Sequence, residues 1–118
     1  MFAAAQIATL LVAILHLWFL VLEMFLWTKP YGRRVFRLSE EKARDTRALA
    51  ANQGLYNGFL AAGLVWGVAL GTGGINHRLF FLGCVLVAGV FGAATVGRKI
   101  LFVQALPALV AIALNYAA

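Results

Sequence analysis

The stretch FAAAQIATLLVAILHLWFLVLEMFLW, residues 2–27, decides the class of fold. It carries one acidic residue, Glu23, and one histidine, His16, and it exceeds the roughly 20 residues that a helix needs to cross a bilayer. The whole chain has 118 residues, of which 64% are hydrophobic and 12% charged, whereas about a quarter are charged in soluble domains. The sequence therefore predicts an all-α integral membrane protein whose first partner is the lipid bilayer.

Three further apolar stretches complete a predicted four-helix transmembrane bundle in a single domain, 1–118. The four predicted spans are 2–27, 48–70, 79–97 and 100–116, and a charged loop, 28–47, joins the first two. In that loop Ser39 precedes Glu40 and Glu41, which is typical of a helix N-terminus. We therefore expect a helix that begins near Glu40 and continues unbroken into the second span, extending it into the cytoplasm.

The basic residues are distributed very unevenly between the connections. Ten Lys and Arg against four Asp and Glu give a formal net charge of +6. Seven of the ten lie in the loop 28–47 and two, Arg98 and Lys99, lie between the third and fourth spans; Arg78 alone lies in the other connection. Because basic loops stay in the cytoplasm, we expect both termini outside a bacterial inner membrane. The excess of basic residues therefore indicates the orientation of the chain in the membrane, and no nucleic-acid partner is expected.

The start of the loop alternates basic and apolar side chains. Such a segment is typical of contact with anionic lipid headgroups. The residues predicted to make this contact are Arg33, Arg34 and Arg37.

Small residues recur at four-residue spacing on two of the spans. These rows are Gly54/Gly58, Gly63/Gly67/Gly71 and Gly89/Ala93/Gly97. Such rows let helix backbones approach closely in lipid. Packing within the bundle is the first interpretation, and a homo-oligomer interface is the alternative.

Polar side chains concentrate at the end of the spans that the topology places toward the cytoplasm. Glu23 lies four residues before the end of its span, and Gln53 and Asn57 share a face at i and i+4. We expect these groups to line a binding site for a ligand, formed by Glu23, His16, Asn52, Gln53, Tyr56, Asn57 and Gln104. The alternative is that the amides only join helices. His16 and Glu23 lie about 10 Å apart along one helix, so another group must link them.

Motifs for metal, cofactor or hydrolytic chemistry are absent from the sequence. It contains no CxxC, HExxH or GxSxG pattern and no glycine-rich phosphate loop. Its single cysteine, Cys84, excludes an intrachain disulfide. No metal and no cofactor are expected.

Two runs, NQGLYNGFLA at 52–61 and EMFLW at 23–27, carry a resemblance to a known family. The chain resembles a bacterial family of small four-span membrane proteins catalogued as domain of unknown function 1304, some of whose members bear the label "epimerase". The resemblance covers essentially the whole chain and implies the four-span architecture. It draws attention to Glu23, Asn52, Gln53, Tyr56 and Asn57, and it implies no activity. The chain is also superficially similar to small multidrug-resistance transporters, but its first connection is longer.

Three functions remain open at this point. The leading hypothesis is binding, or transport, of a small amphipathic or lipophilic molecule in a cytoplasm-facing polar pocket centred on Glu23. The second is an intramembrane enzyme acting on a lipid or isoprenoid-like substrate, with Glu23 and His16 as candidate catalytic acid and base. The third is a structural or accessory membrane protein without a ligand.

Overall fold

The computed structural model describes residues 1–118 and contains helices and no strand. The all-α fold class is therefore confirmed. Six α-helices follow one another along the chain, with a 3₁₀ turn at Gly71–Gly74 and a π-helical turn at Leu101–Ala105. The α-helices are α1 (Phe2–Met24), α2 (Pro30–Phe36), α3 (Glu40–Asp45), α4 (Arg47–Ala69), α5 (Ile75–Thr95) and α6 (Leu106–Ala117).

Two of these helices are long and apolar enough to cross a membrane. They are Phe2–Met24 and the continuous segment Gly71–Thr95, and Leu101–Ala117 is apolar but shorter. The predicted second span, 48–70, lies in α4, which carries several polar side chains in its first half. Length and composition thus support a membrane location through two helices.

Helix boundaries differ from the predicted spans at two points. α1 ends at Met24, because the N–H groups of Phe25 and Leu26 both bond to the carbonyl of Val21 and close the helix there. α5 begins at Ile75, since the glycine-rich stretch before it forms a 3₁₀ turn that leads directly into the helix. Arg78 is therefore a helical residue and does not lie in a loop.

The charged connection 28–47 contains two short helices. Pro30 opens α2 with its preset φ, and Arg37 ends it with φ 55° and ψ 47°. Ser39 caps α3 as predicted, its hydroxyl accepting a hydrogen bond from the N–H of Lys42 at 3.1 Å. The expected unbroken helix is interrupted at Thr46, which separates α3 from α4.

The chain divides into two units, a smaller one of Leu15–Phe59 and a larger one of Met1–Ile14 with Leu60–Ala118. In the smaller unit, Gly32 of α2 lies so close to the backbone carbonyl of Leu26 that a Cβ atom would collide with it. The rings of Trp27 and Phe36 pack with their centroids 4.7 Å apart. These contacts hold α2 against the turn that follows α1.

The larger unit has a core of small and branched apolar side chains. Its buried members are Val12, Ala13, Ala61, Leu64, Leu82, Val85, Ala108 and Ala111. Gly89 brings α5 close to the π-helical turn, because a Cβ atom there would lie 2.7 Å from the N atom of Ala105. The turn itself precedes Pro107, which lacks an N–H and disfavours a regular α-helical turn before it.

Candidate binding site

Glu23 and Asn57 form the centre of the candidate site within the smaller unit. Glu23 lies on the last turn of α1 and is half-buried, and Asn57 of α4 is 5% exposed. Nδ2 of Asn57 donates a hydrogen bond to Oε1 of Glu23 at 2.5 Å. The bond uses one carboxylate oxygen, and Oε2 is not part of it. The structure thus joins two of the predicted site residues directly.

Glycines bring the two helices together at this point. A Cβ atom on Gly54 would lie 2.6 Å from Cγ of Met24 and 3.1 Å from Cβ of Glu23. A Cβ atom on Gly58 would lie 2.7 Å from Cδ1 of Leu20. This glycine row therefore packs against α1 of the same chain, and it sets the short distance that the Glu23–Asn57 bond requires.

The other polar residues of α4 lie on its exposed side. Asn52 and Gln53 are exposed, and Tyr56 is 56% exposed. The ring of Tyr56 packs against Phe59, with centroids 6.2 Å apart. Because residues four apart share a helix face, Asn52 and Tyr56 form one polar edge of α4, while Asn57 on the neighbouring face contacts Glu23.

His16 and Gln104 are not brought into this hydrogen bond. His16 is fully buried, and its ring packs edge-on against Phe19 with centroids 5.3 Å apart. α1 is unbroken between His16 and Glu23, so their backbones stay about 10 Å apart along the axis. Gln104 belongs to the larger unit, in the π-helical turn. Within α1, then, the predicted acid and base lie about two helical turns apart.

The three predicted headgroup contacts have different surroundings. The Cζ atom of Arg34 lies 5.8 Å from the centroid of the Tyr31 ring, and Arg37 is exposed at the end of α2. Arg33 is half-buried, and its buried Nε has no hydrogen-bond partner. A buried guanidinium N–H without an acceptor is unfavourable, so Arg33 presents an unused donor on this helix.

Sequence reasoning missed a second polar cluster, in the larger unit. Arg78 is 2% exposed and is the largest fully buried side chain of the chain. Its Nε donates to Oδ1 of Asn115 at 2.7 Å, and Nδ2 of Asn115 donates to Oγ1 of Thr9 at 3.1 Å. The sequence feature that could have indicated this cluster is Asn115, an isolated amide in an otherwise apolar helix. Such a residue usually has a hydrogen-bond partner on another helix.

The chemistry available at the Glu23 site is hydrogen bonding and charge. No group of three or more His, Cys, Asp or Glu side chains lies close enough together to hold a metal ion. A carboxylate, a buried amide and an exposed phenol are groups that can form hydrogen bonds with a polar partner.

Comparison with known proteins agrees with the resemblance seen in the sequence. The model of the family described as "Protein of unknown function (DUF1304)" matches residues 10–116. The uncharacterized protein YpaA of Lactococcus lactis subsp. lactis (strain IL1403) is 27% identical over 100 residues, which cover 83% of this chain and 84% of YpaA. No solved structure matches the chain. Because the family match covers most of its length, the chain belongs to the DUF1304 family, a family of unknown function.

Proposed function

We propose that the chain is a four-helix transmembrane bundle of the bacterial inner membrane, with both termini outside. Two helices that are apolar enough to cross support this proposal, and α4 and the segment Leu101–Ala117 would supply the other two spans. Seven of the ten basic residues lie in 28–47, which the positive-inside rule assigns to the cytoplasm. In this orientation Glu23 lies near the cytoplasmic surface.

We further propose that the Glu23 site binds a small amphipathic molecule. The observation that carries the proposal is the hydrogen bond from Asn57 to Oε1 of Glu23. An acidic side chain in an apolar helix is costly unless it has a function or a partner, and this bond fixes the carboxylate while leaving Oε2 outside it. Transport is an extension of the same proposal, in which Glu23 carries the charge.

A lipophilic cation is the ligand class that suits this site. Glu23 is the single acidic residue of α1, α4, α5 and α6, so an ionised Glu23 would attract a positive head. The exposed rings of Tyr56 and Phe59 offer apolar contact and a face for a cation. Asn52 and Gln53 would add hydrogen bonds to polar parts of the molecule.

The test uses two probes of matched shape and opposite charge. Tetraphenylphosphonium and tetraphenylborate would be equilibrated by dialysis with the purified chain in dodecyl maltoside micelles. We expect the wild type to bind the phosphonium more tightly than the borate, and Glu23→Gln to weaken phosphonium binding at least tenfold, about 1.4 kcal/mol. The matched control is Glu40→Gln, which removes an exposed acid from α3 and should leave binding unchanged.

Two results would contradict the proposal. Equal phosphonium binding by the wild type and Glu23→Gln would remove the role of the carboxylate. An equal loss in Glu23→Gln and Glu40→Gln would show that net charge, and not the site, attracts the probe. Flux of phosphonium into proteoliposomes would then separate transport from binding alone.

A further inference from the structure

Arg78 is a buried cation held entirely by neutral groups. Its Nη1 donates to the carbonyl oxygens of Gly67 at 2.8 Å and Gly71 at 2.7 Å, and its Nε donates to Asn115. These three bonds fix the plane of the guanidinium from three parts of the larger unit. They use Nε and Nη1, and Nη2 lies outside them.

The backbone around Arg78 is shaped by glycine to admit this side chain. A Cβ atom on Gly67 would lie 2.6 Å from Cγ and 2.9 Å from the backbone N of Arg78. A Cβ atom on Gly74 would lie 3.0 Å from Nη1 and would collide with the carbonyl of Gly67. Any larger residue at either position would displace the arginine, so the site is built around it.

The larger unit has no carboxylate side chain to balance this charge. The residues of that unit, 1–14 and 60–118, include no Asp and no Glu. Removing an unpaired cation from water is unfavourable even after relaxation, and three neutral acceptors offset only part of this free-energy cost. The unit therefore carries a positive group whose complement is an anion from outside the unit.

A second polar atom of the same unit lacks a hydrogen-bond donor. Nε2 of Gln6 donates to the carbonyl of Val68 at 3.1 Å, one residue along α4 from the carbonyl of Gly67 that Arg78 binds. The buried Oε1 of Gln6 has no hydrogen-bond partner. A ligand with a hydroxyl group, such as a protonated phosphate or a glycerol head, would supply the missing donor.

One aromatic ring at the start of α1 lies against the guanidinium of Arg78. Arg78 lies in the first turn of α5, just after the exposed residues Thr72 and Gly73. The Cζ atom of Arg78 is 5.8 Å from the ring centroid of Phe2, which is 41% exposed and lies at the start of the chain. Removing this ring would take away one group that lies against the guanidinium and none that forms a hydrogen bond with it.

We propose that Arg78 binds a phosphate group, with Asn115 and the carbonyls of Gly67 and Gly71 positioning it and Gln6 accepting a hydrogen bond from the ligand. The phosphate belongs either to an anionic lipid headgroup or to a free phosphate ion. The three bonds within the unit use Nε–H and both N–H groups of Nη1, so the two N–H groups of Nη2 remain to donate to phosphate oxygens. The site is separate from Glu23 and does not depend on the function proposed there.

The test measures thermal unfolding of the chain in dodecyl maltoside by tryptophan fluorescence, with three additions. They are inorganic phosphate against chloride at equal ionic strength, dihexanoyl phosphatidylglycerol, and dihexanoylglycerol, which has the same chains without the phosphate. We expect phosphatidylglycerol or phosphate to raise the unfolding temperature and dihexanoylglycerol to leave it unchanged. A response to phosphatidylglycerol alone identifies a lipid, and a response to inorganic phosphate identifies a free anion.

Three variants make the result specific to this site. Arg78→Lys keeps the charge but loses the guanidinium and its Nη2 donors, and the concentration giving the half-maximal shift should rise at least tenfold. Arg98→Lys, at an exposed arginine of the same unit, should respond as the wild type does. Phe2→Ala leaves every hydrogen bond of Arg78 in place and should bind at least as tightly as the wild type. The proposal is overturned if neither wild type nor Phe2→Ala responds, or if the two lysine variants respond alike.

Discussion

The indole Nε1 of Trp27 donates a hydrogen bond to Oγ1 of Thr46 at 3.0 Å. The same hydroxyl donates to the carbonyl of Lys42 at 2.8 Å. Thr46 is the residue that separates α3 from α4, so one side chain closes the end of α3 and ties the junction to the turn after α1. This pair explains why the helix predicted to run unbroken from Glu40 is divided.

We expect Thr46→Val to lower the free energy of unfolding by about 1 kcal/mol, because valine keeps the shape of threonine and removes both hydrogen bonds. Trp27→Phe removes the donor of the Trp27–Thr46 bond, whose acceptor Thr46→Val removes, so the double variant should lose less than the sum of the single losses. Urea unfolding in micelles measures the four free energies. Strict additivity would mean that the bond does not contribute, and Thr72→Val, at an exposed threonine, is the control.

Gly89 and Gly83 lie on the same helix, α5, but differ in the space available for a Cβ atom. A Cβ atom on Gly89 would lie 2.7 Å from N and 2.9 Å from Cα of Ala105, both backbone atoms, whereas one on Gly83 meets nothing within 4 Å. We expect Gly89→Ala to destabilise the chain by about 1–3 kcal/mol through overpacking. Gly83→Ala should stabilise it by up to about 1 kcal/mol through helix propensity. Thermal unfolding of both variants checks the contrast, and equal effects would contradict it.

Two substitutions of Glu23 distinguish its contribution to stability from its proposed role in binding. Glu23→Leu leaves the buried amide of Asn57 without its acceptor, and we expect a loss of about 1–3 kcal/mol. Glu23→Gln keeps a carbonyl oxygen at that position and should stay within about 0.5 kcal/mol of the wild type. Denaturant unfolding compares the two. If Glu23→Gln were as unstable as Glu23→Leu, the carboxylate charge itself would be required for folding.

Ser39→Ala should loosen α3 without affecting the other helices. The Ser39 hydroxyl accepts the hydrogen bond from Lys42 N–H at the start of this six-residue helix, and losing such a cap costs about 1 kcal/mol. We expect hydrogen exchange at the amides of 42–45 to accelerate about fivefold while amides of α1 are unchanged. Uniform acceleration over the whole chain would show that the cap acts on global stability instead.

Several elements follow from patterns that the sequence displays openly. The apolar run 2–27 predicts α1, and Ser39 with Glu40 predicts the start of α3. The i, i+4 spacing of Asn52 and Tyr56 predicts a shared face, which α4 has. These predictions succeed because they depend on neighbours in sequence, whose geometry the helix itself sets.

Other features depend on partners that periodicity does not reveal. A count of charged residues assigns Arg78 to a loop because glycines precede it, but their 3₁₀ turn leads into α5 and Asn115 satisfies the guanidinium from α6. Asn57 contacts Glu23, while Gln53 one turn earlier stays exposed. Which of two amides turns inward is decided by where Gly54 and Gly58 let α1 approach. The burial of these side chains is set by tertiary packing, which neighbouring residues in the sequence do not reveal.

The two units differ in how early the ribosome can complete them. The smaller unit is one continuous segment, Leu15–Phe59, and all of its residues have been synthesised when half the chain remains to be made. The larger unit joins the beginning of the chain to its end, and its hydrogen bond between Asn115 and Thr9 spans 106 positions. The Glu23–Asn57 site can therefore form before residues 60–118 are made, whereas the Arg78 cluster needs both Thr9 and Asn115.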